Sequence, residues 1–434
     1  MGNVLLARYG EIALKGGNRG YFEGLLARNI RRSLIAVPGF RLQRVYGRIY
    51  AEPVNAEAEA RVSEAADCLK KVFGLVGVAV ARKTLLTTAA ITEAAVACAE
   101  EAVAGASGSP PGIRTFKIDA SRSEKRFPLD SMQLNRELGG AVLDALPALK
   151  VDVHKPDLRV TVEVRQEGAF VYAEDRKCPG GLPVGMSGRV VSLLSGGIDS
   201  PVASWLAMKR GMSVDALHFE TPPFTSAESR EKVVDLCRTL SVWGGPSRLH
   251  VVNFTPLQRL IWGRAPAALR ITIMRRQFMK IAERIAEGAR AEALVTGDSV
   301  GQVASQTLTS MRTIEDGIAL PVLRPLLAWD KSEIVMKARE IGTYEISIRP
   351  FDDCCAMFVP EHPATKPGLA ECRRAEEAIG AAELEAAVTE AITSREVTSV
   401  RGSKTDDERT TSAIHHGGTE DTEESPQSQA KDLS

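Results

Sequence analysis

The 434-residue chain has no apolar run approaching the roughly 20 residues that a membrane span needs, which excludes a spanning helix by length. Its opening, MGNVLLARYGEIALKGG, has no charged stretch leading into an apolar core, so no secretory signal is read there and cytoplasmic residence is the expectation. Seven cysteines are scattered without the spacing of a disulfide framework, and free thiols in a reducing compartment are expected. No CxxC pair occurs, so neither a zinc ribbon nor a CxxC-bound cluster is supported and no protein-held metal centre is assigned. No internal repeat is visible. The apolar content of 44% is ordinary for a globular chain, and the length allows two to four domains. The zero net charge conceals an asymmetry: nine basic side chains face two acidic ones in the first fifty residues, whereas nine acidic face five basic from Ser394 onward.

Hydrophobic periodicity divides the chain into α/β units. Residues 1–60 read as strand, helix, strand: Val4 to Tyr9, then Phe22, Leu25, Leu26, Ile30 and Leu34 at helical spacing, then Arg41 to Glu52 alternating as one strand. Residues 61–175 form a second α/β unit, with helices over 62–73, 88–103 and 131–146 and strands over 75–81, 114–120, 158–166 and 168–174. Residues 176–188, rich in Gly and Pro, read as a linker. From 189 to 393 strands and helices alternate, the rhythm of a doubly wound parallel sheet whose ligand sits at the carboxyl ends of the strands. Residues 394–434 are polar, lack aromatics and are expected to be a disordered tail.

The most informative stretch is VVSLLSGGIDSPVASWLAMKRG, residues 190–211. An apolar β-branched run ends in Ser195, Gly196, Gly197, Ile198, Asp199 and Ser200, and a helix pattern follows at once. Free N–H groups and the positive end of a helix dipole then converge on one spot, which is an anion site. Glycines let a phosphate approach the backbone. The loop lacks the Lys-Ser/Thr ending of P-loop kinases and the spread glycines of a dinucleotide fingerprint. It resembles the PP-loop of ATP pyrophosphatases, which split ATP between the α and β phosphates.

Further segments occur in order: RYGEIALKGGNRGYFEGLLARNI, HFETPPFTS, LVTGDSVGQVASQTL, PLLAWDKSEIVMKAREIGTYEISI and DDCCAMFVPEHPATKP. Together with SGGIDSPVA they closely resemble the tRNA 4-thiouridine synthetase (tRNA sulfurtransferase) family over about 390 residues. The resemblance implies a ferredoxin-like N-terminal domain, a THUMP RNA-binding domain and an ATP pyrophosphatase domain. It implies adenylation of O4 of uridine 8 of tRNA by ATP, with Mg2+ at the pyrophosphate, and displacement of AMP by persulfide sulfur. Homodimerisation is also a family expectation.

Carried onto this chain, the resemblance makes Leu193, Leu194, Ser195, Gly196, Gly197, Ser200, His218, Phe219, Arg275, Gly297 and Gln306 ATP contacts, with Asp298 and Gln302 as further site residues. Asp199, which could be a plain helix cap, would organise magnesium and pyrophosphate. Cys354 would handle the persulfide, with Cys355 as understudy or resolving partner. Asp352 and Asp353 would raise a neighbouring thiol's pKa unless a cation stands near, and Arg349 is the local candidate. Cys68, Cys98 and Cys237 read as structural. Arg8, Lys15, Arg19, Arg28, Arg31 and Arg32 would meet tRNA phosphates.

The polar tail stands where some members carry a rhodanese-like domain, so a separate donor, a cysteine desulfurase, is expected to deliver sulfur. The family's second role, sulfur transfer to the thiamine thiazole carrier protein, is tied to that domain. Two other readings are another PP-loop ATPase, either a different tRNA-modifying enzyme or an amidating synthetase, with amidation disfavoured by the basic front end and the THUMP-like unit, and a non-catalytic tRNA binder, disfavoured by the complete SGGIDS loop.

Overall fold

A computed structural model describes residues 2–14, 16–106, 112–351 and 364–400. Lys15, Cys354 and Cys355 therefore lie outside the described residues, as does the sequence beyond Val400.

The strands of the first half are β1 (Gly2–Tyr9), β2 (Phe40–Val45), β3 (Arg48–Pro53), β4 (Leu75–Thr84), β5 (Thr115–Arg122), β6 (Lys150–Val151), β7 (Leu158–Arg165), β8 (Gly168–Tyr172) and β9 (Asp175–Lys177). They build one sheet in the order β2-β3-β1-β4-β8-β7-β5-β6, with β9 paired to β4. The region read as one strand over 41–52 is a hairpin, turning at Tyr46-Gly47 with Gly47 at φ +75°. Alternation continues across a two-residue turn, so the pattern alone does not reveal the break. The helices are α1 (Arg19–Ser33), α2 (Ala56–Ala60), α3 (Val62–Leu69), α4 (Thr88–Ala106) and α5 (Ser131–Ala145). Asp130 and Gln133 start α5 with a reciprocal capping box. β4, read from sequence with the second unit, pairs with β1 on one side and β8 on the other, so the sheet runs unbroken through the first half.

The second half has strands β10 (Arg189–Leu193), β11 (Ser213–Glu220), β12 (Arg248–Asn253), β13 (Ala293–Val295), β14 (Val322–Leu323) and β15 (Glu396–Ser399). Their order is β14-β13-β10-β11-β12-β15, parallel throughout except for β15. Helices α6 (Asp199–Lys209), α7 (Ala227–Ser241), α8 (Thr255–Arg264), α9 (Arg270–Gly288), α10 (Leu308–Ile314), α11 (Lys331–Glu340), α12 (Tyr344–Ser347), α13 (Leu369–Ile379) and α14 (Ala381–Thr393) complete it. One core joins the sheet to α8, α9, α13 and α14, and another joins it to α6, α7 and α11. This is the doubly wound arrangement the alternation implies.

Two expectations are corrected here. Residues 396–399, assigned to a disordered tail, form β15 on β12, and Glu396 pairs with Arg230. An edge strand is held by backbone hydrogen bonds, so a scarcity of apolar side chains does not forbid it. The linker is also ordered: Arg176 and Lys177 pair with β4, while Cys178 and Leu182 enter the first half's core. Gly181, at φ +76°, sits where a Cβ would lie 2.1 Å from the carbonyl oxygen of Lys209.

The two halves are joined through Phe73. It precedes β4, yet its ring lies 5.1 Å from Trp205 and 5.9 Å from Trp243, within the core of the second half. Glu11 pairs with Arg210 at 3.0 Å, and Asn29 Nδ2 donates to the Val184 carbonyl at 3.1 Å. The described residues up to Val400 pack as one compact unit. Phe73→Ala should therefore cost about 3–5 kcal/mol, read as a lower urea midpoint, by opening a cavity between the halves.

Candidate active site

β10 is buried on both faces, and its β-branched residues stop at Leu194, where the chain must turn into α6. Ser195 to Ser200 make that turn. The Ser200 hydroxyl lies 2.9 Å from the Ser195 N–H, which donates to it, and 3.1 Å from Ser195 Oγ. Ser195 Oγ accepts from the Gly197 N–H at 3.3 Å. Behind them, Ser204 Oγ donates to the Ser200 carbonyl at 2.8 Å and lies 2.8 Å from Ser192 Oγ. The serines thus fix the loop's shape, and the glycines leave one side clear of side chains.

Asp199 is the first residue of α6, and Ile198 occupies the cap position without a side-chain bond. The Asp199 carboxylate is not used as a cap. It accepts from Gln302 Nε2 at 2.9 Å and from Lys331 Nζ at 2.6 Å.

A second carboxylate organises the neighbouring wall. Asp298 is 5% exposed and accepts from Arg275 Nη2 at 2.7 Å, Gln306 Nε2 at 3.2 Å and Thr296 Oγ1 at 2.8 Å. Arg324 lies 3.5 Å away and also pairs with Glu315. Burial alone would raise the Asp298 pKa. The charge of Arg275, the bonds from Thr296 and Arg275, and the charge of Arg324 together hold it below the usual carboxylate range. Arg275 Nη1 also donates to Ser305 Oγ at 3.1 Å. Gln306 Oε1 is buried without a hydrogen-bond partner and remains an available acceptor.

Three expected contacts acquire a specific place. His218 is buried, with Nδ1 3.1 Å from the Leu194 carbonyl, so it braces the start of the loop. Phe219 turns its ring into the core, stacked on Phe278 at 4.1 Å, with its main chain at the carboxyl end of β11. Gly297 is required by close approach to α6: a Cβ would lie 2.8 Å from the Ser200 nitrogen and 3.0 Å from the Asp199 carbonyl carbon. Leu193 and Leu194 pack into opposite cores, as side chains ending a buried strand should.

Sequence reasoning missed Lys331, Arg324, Ser305 and Ser347. Ser347 Oγ donates to the Gly197 carbonyl at 3.2 Å. Lys331 was signalled by its place after Asp330, which starts α11 with a capping box to Glu333. Arg324 was signalled by its place at the carboxyl end of β14, where open α/β sheets gather their ligands.

The five described cysteines are poor nucleophiles. Burial raises all their thiol pKa values, to about 11 for Cys98 and about 12 for Cys178 and Cys237. On the basic front end, Arg28, Arg31 and Arg32 are exposed along α1. Arg19 lies over the Tyr46 ring at 4.2 Å and pairs with Glu23 at 2.9 Å, and Arg8 is paired with Asp175.

Among the described residues no three His, Cys, Asp or Glu side chains cluster as a metal cage. Mg2+ ordinarily takes one or two carboxylates and completes its shell with phosphate oxygens and water. Asp199, a hard oxygen donor beside the loop, fits that pattern.

Asp298→Asn should leave Arg275 without its buried counter-charge and Arg324 with Glu315 alone, and cost about 3 kcal/mol in urea unfolding. The wild-type carboxylate is depressed in the folded state, so its advantage is full above the ordinary carboxylate pKa of about 3.9. The gap between the two proteins should close as pH falls through the lower, folded-state value. Gly297→Ala should weaken nucleotide binding, measured by calorimetric titration with ATP, because backbone must move to admit the methyl group.

The family model described as "Thiamine biosynthesis protein" matches residues 185–380, that of the ThiI ferredoxin-like domain residues 4–79, and that of the THUMP domain residues 87–174. The chain is 49% identical over 377 residues to "Probable tRNA sulfurtransferase" of Caldanaerobacter subterraneus subsp. tengcongensis, covering 87% of this chain and 95% of that one. It is 49% identical to the protein of the same name from Moorella thermoacetica, covering 88% and 94%. Its structure resembles that of a 4-thiouridine synthetase in complex with RNA and bound ATP, with a TM-score of 0.82, 40% identity and coverage of 92% and 99%. A nucleotide loop at the carboxyl end of a parallel sheet and similarity along nearly the whole described chain lead to one conclusion: the chain belongs to the tRNA sulfurtransferase family.

Proposed function

We propose that this protein converts uridine 8 of tRNA to 4-thiouridine, using ATP to activate O4 and a persulfide on Cys354 as the sulfur source. The observation that carries the reading is the convergence of the SGGIDS loop, the Asp199–Lys331–Gln302 cluster and the Arg275–Asp298–Gln306 cluster at the carboxyl ends of β10 and β13. Pyrophosphate is the group that a helix N-terminus, two arginines and a lysine would hold together.

In this reading uracil O4 attacks the α-phosphorus of ATP and pyrophosphate departs. The N–H groups at the start of α6, Arg275 and Lys331 bind the departing charge, which develops in the transition state. Gln306 Oε1 offers an acceptor to the nucleotide, and Asp199 would hold Mg2+ when it is bound. That ion would supply charge neutralisation at the phosphates. The terminal persulfide sulfur then attacks C4 and AMP leaves. A second thiol, with Cys355 as the adjacent candidate, attacks the Cys354 sulfur, forming a disulfide with it and leaving the outer sulfur on the base; a thiol reductant such as free cysteine then restores both thiols. A cysteine desulfurase charges Cys354. Arg28, Arg31 and Arg32, with Lys15, Arg8 and Arg19 nearby in sequence, meet RNA phosphates. The protein works in the cytoplasm, as a homodimer.

The test is thiolation of unmodified tRNA with Mg-ATP, cysteine and a cysteine desulfurase, followed by the near-ultraviolet absorbance of 4-thiouridine. Asp199→Ala should lower the rate by about 100-fold or more, and full activity in that variant would reject the loop assignment. Cys354→Ser should abolish thiolation. Retention of activity there, with loss in Cys355→Ser, would move the sulfur role one residue along. Replacing Arg28, Arg31 and Arg32 by Ala should weaken tRNA binding and make its log–log salt slope shallower, by about one unit for each phosphate no longer neutralised.

A further inference from the structure

Lys232 lies outside the nucleotide site, on the α7 face turned toward the second-half core, and is 4% exposed. Its ammonium donates to the carbonyls of Arg349 and Phe351, each at 3.1 Å. Among the described residues it has no carboxylate partner. A charge buried on neutral acceptors is expensive, and a methionine would fill similar space without that desolvation. Packing alone therefore does not account for a lysine here.

Its acceptors are placed with respect to the chemistry. One turn further along α7, Asp235 accepts from Arg349 Nη1 at 2.6 Å, so the same stretch is held twice. That bond also occupies the guanidinium nominated from sequence as the cation for the cysteines. Just upstream, Ser347 reaches the Gly197 carbonyl of the nucleotide loop. Just downstream in sequence, three residues beyond Phe351, comes Cys354. Covalent geometry keeps the two Cα atoms within about 11 Å. The chain beyond the cysteines is tied separately: Thr307 Oγ1 and Ser310 Oγ donate to the Thr365 carbonyl at 2.7 and 3.3 Å, and Thr313 Oγ1 donates to that of Pro367 at 3.0 Å.

We propose that Lys232 is a positioning residue for sulfur transfer, pinning the residue-349–351 end of the cysteine-bearing segment to α7 at a fixed distance from the nucleotide loop. The proposal rests on the reading that Cys354 carries the sulfur. Among the described residues Lys232 makes no hydrogen bond to a proposed nucleotide contact, so its removal should spare activation of the base and impair the second step. A displacement of about 1 Å at a reacting group can cost 100-fold.

The experiment measures both steps with full-length protein, Mg-ATP and unmodified tRNA. Single-turnover pyrophosphate release reports activation. 4-Thiouridine formation after charging by a cysteine desulfurase reports transfer. Lys232→Met should leave pyrophosphate release within about twofold and slow thiolation by about 100-fold, with KM for tRNA unchanged. Asp235→Asn, at a partly exposed position on α7, should slow thiolation several-fold and spare activation. Equal loss of both steps in both variants would overturn the proposal in favour of a general scaffold role, and so would wild-type thiolation in Lys232→Met. Cys354→Ser run in parallel separates the two claims. Loss of thiolation there with none in Lys232→Met rejects the positioning role alone, whereas thiolation by Cys354→Ser rejects the sulfur assignment beneath it.

Discussion

The site depends on a carboxylate that has no solvent of its own. Asp298 gathers Arg275, Gln306, Thr296 and Arg324 around two oxygens; Thr296 and Gln306 flank it in sequence, whereas Arg275 comes from α9 and Arg324 from the end of β14. Without the negative charge, two guanidiniums would face each other in a poorly hydrated wall. With it, they are held at fixed positions at the carboxyl ends of the strands. Such an arrangement is pre-organised for an anion, since the donors need not be recruited from water when the ligand arrives.

Asp199 shows the complementary design. It sits at the positive end of α6, where a carboxylate is favoured, but its oxygens are turned outward to Lys331 and Gln302 rather than back to the helix. The loop's own hydrogen-bonding needs are met by serines, chiefly Ser200 and Ser195. The division of labour leaves the aspartate free for exchange of partners. Ser and Asp in SGGIDS are thus not interchangeable polar residues: one kind shapes the loop and the other bonds outward to Lys331 and Gln302.

Much of this was legible in the sequence, because local pattern and chemistry coincide there. The strand–loop–helix at 190–209 follows from β-branched residues, small residues and amphipathic spacing in immediate succession. Arg275, Gln306 and Asp298 were named from resemblance, and they meet in space. What was not legible depends on partners remote in the chain. Lys331 is 132 positions from Asp199, and no periodicity links them. Gly297 was expected to leave room for a ligand, and the structure sets the α6 backbone where its Cβ would lie. Phe219 has its ring packed against Phe278 and Phe254, so only its main chain is left at the strand end, a division the sequence does not display. The hairpin at 40–53 and the strand at 396–399 escaped because turn geometry and backbone pairing leave little trace in hydrophobicity. The continuity of the first sheet escaped because β4 joins two units that composition separates.

The Phe73 wedge has a consequence for how such a molecule would choose its target. An aromatic ring from the first half is sunk into the core of the second, and the linker behind it lies against the end of α6 at Gly181. With the first half gripping RNA as proposed, the grip and the nucleotide loop would keep a fixed spacing. The molecule would then work as a pair of calipers: a nucleotide would be selected by how far it lies from the gripped part of the RNA, whatever bases surround it.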